Sequence, residues 1–141
     1  MPLDLAALTS TPDIRCIPGV QARLVCAWRY VHIARRCGNY SHHHLLRYLC
    51  SIEAIKPFHV FSDTIGRAWP EPFVLNPPCQ PLCSYDEMLM LDLTTAAAKD
   101  DRKAFDAFIV DMVPEKPRDA IWHAARELMG HLVTPTENRK G

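Results

Sequence analysis

Five prolines fall between Trp69 and Cys83, in "WPEPFVLNPPCQPLC", and no regular helix can run through them. Each fixes φ and lacks a backbone N–H, which also argues against a central strand. The chain is therefore split into two stretches joined by an extended segment. We read residues 69–83 as a partly polyproline strap lying across neighbouring helices, anchored by Phe73, Val74 and Leu75.

The stretches on either side carry helical periodicity. Leu24, Ala27, Trp28, Val31 and Ala34 form one apolar stripe, which Gly38-Asn39 ends with residues that tolerate left-handed backbone. Ser41 caps a second helix with the stripe Leu45, Tyr48, Leu49 and Ile52. Pro57 suits the first turn of a short third helix carrying Phe58, Phe61 and Ile65. After the strap, "SYDE" matches a capping box between Ser84 and Glu87. The helix it opens, to Ala98, is apolar nearly all round, which places it at the centre of the fold. A further helix holds Phe105, Phe108, Ile109 and Met112, and Pro114 and Pro117 punctuate the chain after it. The last helix carries Ile121, Ala125, Leu128 and Leu132. No alternating run is long enough for a sheet. The expected fold is all-α, a single compact domain of five or six helices.

A chain of 141 residues has room for one core. Its 48% apolar and 23% charged residues are globular values. We expect a loosely ordered lead over 1–18, broken by Pro12 and Pro18, a helical domain over 19–133, and a frayed tail over 134–141. No apolar run approaches the roughly 20 residues of a membrane helix. The opening residues lack the positive and apolar regions of a signal peptide, so a cytoplasmic location is expected. Thiols stay reduced there, and the six cysteines then read as thiols or metal ligands rather than disulfides.

The net charge is zero, yet residues 1–70 carry four positive charges in excess and residues 71–141 four negative. Opposed halves suit head-to-tail self-association or an internal electrostatic fit. Arg23, Arg29, Arg35 and Arg36 scatter around their helix, and the domain is not basic, so nucleic acid is not an expected partner.

Cys79 and Cys83 are the main chemical candidates. With two further soft ligands, from Cys50, Cys37 or His43, they could hold zinc or an iron–sulfur cluster. The reading we favour is packing of both thiols on the central helix beside Tyr85 and Met88. Cys83 precedes a helix cap, where the dipole would lower its pKa if the sulfur faced the amides. His42, His43 and His44 point about 100° apart on a helix and cannot grip one ion together. His123, Glu127 and His131 form a ladder that faces mostly solvent. Asp92, within "MLMLDL", needs a partner, for which Arg29 and Arg47 are candidates. No phosphate loop, nucleophile elbow, zinc-protease helix or dinucleotide fingerprint occurs.

From Pro78 to about Met129, the Pro/Cys-rich strap, the Ser-x-x-Glu helix start and Asp101-Arg102-Lys103-Ala104-Phe105 succeed one another. This order is similar to that of a family of short uncharacterised alphaproteobacterial proteins. The resemblance implies a bacterial cytoplasmic protein and brings no activity with it.

These readings lead to a small non-enzymatic interaction or regulatory protein that binds another protein. Trp69, Phe73, Tyr85 and Asp92 are its candidate binding residues, and a homo-oligomer is one form the binding could take. The rival readings are a thiolate metal or redox sensor built on the strap cysteines, and an enzyme without a familiar signature.

Overall fold

The computed structural model describes residues 13–132. Among them are six α-helices: α1 (Gly19–Cys37), α2 (His42–Leu49), α3 (Ile55–Ala68), α4 (Tyr85–Ala98), α5 (Arg102–Ile109) and α6 (Glu115–Leu132). The fold is all-α, a single domain, and no strand is formed among the described residues. No helix among them is long and apolar enough to cross a membrane.

The helix ends follow local chemistry. α1 stops at Gly38, whose φ of 73° is the left-handed conformation that glycine reaches without strain. Ser41 accepts from the His44 N–H to open α2, and Asp101 accepts from Ala104 to open α5. Pro57 sits in the first turn of α3, where a missing N–H costs no helical bond. Both halves of the Ser84–Glu87 capping box form at the start of α4.

The apolar stripes become one core. Leu24, Ala27, Trp28, Val31 and Ala34 of α1 are all buried, and Trp28 packs against Phe58 and Phe61 of α3 at centroid distances of 6.4 and 6.1 Å. Each such fully buried large side chain stabilises the fold by roughly 1.5–3 kcal/mol. α4 is buried on most sides, as its all-round apolarity predicts. It shares the centre with α6, which packs against α3, α4 and α5. At that junction Trp122 meets Phe105 edge-on at 5.1 Å. Arg102 and Arg126 lie over the Trp122 ring at 5.5 and 5.6 Å.

Several expectations are corrected. Ile52 belongs to a separate 3₁₀ turn and is 72% exposed, because α2 ends at Leu49 and Cys50 turns left-handed. Phe108 and Met112 are exposed, since α5 ends at Ile109 and Val113 takes the core position instead. Val74 is exposed, while its neighbours Phe73 and Leu75 pack on the core, as alternation in an extended segment requires. Part of the expected loose lead is ordered. Residues 13–18 hold a 3₁₀ turn, Ile14–Cys16, tied to the strap by the Ile14 N–H donating to the Pro81 carbonyl at 2.6 Å. The rest of the lead, and the tail over 134–141, lie outside the described residues.

Candidate binding groove between the first helix, the third helix and the strap

The strap is held by one buried carboxylate. Glu87, 0% exposed, accepts from Arg29 Nε and Nη2 at 2.8 and 2.9 Å, from the Ser84 N–H at 2.8 Å and from the Asn76 N–H at 3.0 Å. Arg29 Nη1 and Nη2 also donate to the Gln80 and Leu82 carbonyls at 2.7 and 2.9 Å. Two charges are thereby buried with their donors and acceptors satisfied, the condition under which a buried ion pair is tolerated. Asp86 accepts from the Val74 N–H at 2.7 Å, and Ser84 Oγ donates to the Val74 carbonyl at 2.5 Å. The irregular segment is thus fixed against α1 and α4, although its prolines allow it no ladder of its own.

Between the fixed strap, α1 and α3 lies a cavity of about 290 Å³. Its apolar lining includes Trp28, Phe58, Ile65 and Met90, with Phe73 and Leu75 from the strap. His32, Arg35 and Arg36 come after Trp28 on the same face of α1 and line the cavity as well, with Asp63 and Ser62 opposite on α3. A second pit of about 130 Å³ shares His32, Arg36 and Leu75 and continues along Asn76, Pro77 and Pro78. The two form one groove along the strap. Trp28 is 4% exposed, and its indole N–H has no hydrogen-bond partner among the described residues. A buried donor of this kind is uncommon and costly. Ser62 Oγ donates to the Phe58 carbonyl of its own helix.

Arg35 also belongs to a seam of tyrosines and histidines. Its Nη2 lies 3.1 Å from His59 Nδ1, and a guanidinium can only donate, so Nδ1 is the bare nitrogen. His59 Nε2 therefore carries the proton and donates to Tyr40 Oη at 2.6 Å. Burial foremost, then the Arg35 and His42 charges, holds the His59 pKa below its ordinary 6.5, against the opposing pull of Asp63. Tyr30 stacks on His44 at 4.3 Å, and Tyr40 meets His42 edge-on at 5.2 Å. Of the three histidines, His42 and His44 touch tyrosine rings, although His42, like His43, is exposed.

The structure separates most of the sequence's candidate residues. Cys83 is buried within the core cluster, but Cys79 is exposed, so only one strap thiol packs as expected. Burial, with the Glu87 charge adding to it, pushes the Cys83 thiol above its usual pKa, against the opposing pull of Arg29. Cys50 and His43 are exposed, and no three His, Cys, Asp or Glu among the described residues gather as a metal-binding group. Asp92 does not pair with Arg29, which Glu87 occupies; it is exposed, and desolvation raises its pKa. Tyr85 is 66% exposed on the first turn of α4. Trp69 and Phe73 stack at 4.7 Å and pack on the core, and Phe73 lines the groove. On α6, His131 Nε2 and Glu127 Oε1 lie 3.3 Å apart on the surface, as the solvent-facing ladder predicts.

The sequence reading missed the groove. Its one local signal was the set His32, Arg35 and Arg36 lying in helical register with a core tryptophan, a basic rim continuing an apolar stripe. No family model, curated protein or solved structure matches this chain.

Proposed function

We propose that this chain is a small non-enzymatic interaction protein that acts by binding another protein, and that the α1–α3–strap groove is its binding surface. The observation that carries this reading is the groove itself, apolar within and basic at its edge. At about 290 Å³ the cavity is at the lower limit of small-molecule sites, which run from about 300 Å³ upward. That is room for a partner's anchoring side chain. The strap is tied down in advance by Arg29 and Glu87, so little ordering entropy opposes binding.

The test is photo-crosslinking in the native host from a probe at Ile33, which lines the second pit and is 43% exposed. Capture of one discrete protein, lost when Ser62→Trp fills the cavity of a chain still folded by circular dichroism, is expected. Capture that Ser62→Trp leaves unchanged would overturn the groove as the binding surface.

A further inference from the structure

Part of the strap's main-chain donor set is already spent. The Val74 N–H is taken by Asp86 and the Asn76 N–H by Glu87, and Pro77 and Pro78 have none to offer. Side chains therefore carry much of the recognition open to this groove. The α1 wall supplies them with one sign. Arg35 and Arg36 face one acid, Asp63, among the residues lining the cavity, and Arg29, which lines the second pit, is neutralised by Glu87. No ion pair or hydrogen bond engages the Arg36 guanidinium among the described residues, whereas Arg35 is already oriented by His59.

We infer that the occupant is an extended segment of a partner protein carrying a bulky apolar residue next to a carboxylate. The apolar side chain fills the cavity over Phe58 and Met90. The carboxylate meets Arg36, with Arg35 beside it, at the border of the two pits. This inference rests on the protein-binding reading above and adds the partner's chemistry to it. Charge complementarity selects the acid, and the apolar lining and volume of the cavity select the bulky residue.

The probe is a random peptide library displayed against the whole chain, with titration of the selected peptides. We expect selected peptides to share an aromatic or branched apolar residue within three positions of Asp or Glu. Arg36→Glu should weaken them roughly tenfold, as loss of a charge-assisted contact does. Replacing the peptide's acid with lysine should restore binding to Arg36→Glu, which a merely structural role for Arg36 would not produce. Peptides that Ser62→Trp abolishes but that show no acid preference would overturn this inference and leave the groove reading standing. An absence of groove-dependent peptides would overturn both. Deletion of residues 1–12 that raises peptide affinity more than tenfold would make the occupant the chain's own lead. Self-association abolished by Ser62→Trp would make it a second copy, and either result overturns the inference.

Discussion

The Glu87 carboxylate accepts two hydrogen bonds from Arg29 across 58 positions of sequence, at 2.8 and 2.9 Å. Both side chains are essentially inaccessible, Arg29 at 1% and Glu87 at 0% exposure. The same two residues bind strap backbone on opposite sides: Arg29 reaches the Gln80 and Leu82 carbonyls, and Glu87 receives the Asn76 and Ser84 N–H groups. The pair therefore joins α1, α4 and the strap at one point, and the groove wall depends on it.

Breaking that pair from one side should be expensive. Arg29→Met and Glu87→Gln each leave a buried group without its counterpart, and each is expected to cost about 3–5 kcal/mol in urea denaturation. The double variant should recover part of this loss, because a neutral amide needs no counter-charge. Strictly additive losses would show that the two residues are not coupled.

Ser84→Ala removes the acceptor for the Glu87 N–H and the donor to the Val74 carbonyl together. Loss of the cap alone costs about 1 kcal/mol. The added release of the strap should appear as faster proteolysis between Trp69 and Cys83 than in a cap variant elsewhere, such as Asp101→Ala at the start of α5.

Gly38, Cys50 and Asp100 adopt left-handed backbone, and the first two make opposite residue choices. Gly38 has φ 73° and open space around an added Cβ, so Gly38→Ala should cost about 1 kcal/mol through backbone strain alone. Cys50, at φ 58°, already carries that strain, and Cys50→Gly should raise stability by up to about 1 kcal/mol. Thermal melts of the two variants should move in opposite directions.

Acid should act through His59. Its folded pKa lies below 6.5, so the unfolded chain binds the proton more readily; the stability this contributes is present above about pH 6.5 and lost as pH falls through the folded value. Protonation also removes the acceptor for Arg35 at the groove edge. Urea midpoints measured at about pH 7.5 and about pH 5.5 should fall less for His59→Gln than for the parent chain. Equal falls would assign the effect to the other histidines.

For the strap thiols we expect protein purified without chelator or added metal to contain less than one equivalent of zinc or iron. Cys79 is exposed while Cys83 is buried with a raised pKa, and a ligand thiol must deprotonate. Stoichiometric metal by elemental analysis, lost in Cys79→Ala, would restore the sensor reading.

The sequence alone determined where the helices begin and most of the stripes they turn inward, although it ran the second and fifth helices too far at their C-terminal ends. The stripe from Leu24 to Ala34, the left-handed stop at Gly38, the caps at Ser41 and Ser84 and the buried Phe58, Phe61 and Ile65 all depend on neighbours within a turn or two, and such couplings repeat at a fixed period. Only the tertiary structure decided which polar groups met. Glu87 read as a capping residue, and its local bonds gave no sign that Arg29 would fill the rest of its lone pairs. Asp92 read as the buried acid, yet the rotation of α4 set it at the surface and Glu87 inside. The groove was equally hidden, since Trp28, Ser62 and Leu75 lie on three separate elements and only the docking of the strap makes them one wall. Long-range polar contacts have no period in the sequence. They depend on how the packed helices are rotated against one another, which close packing of the core constrains.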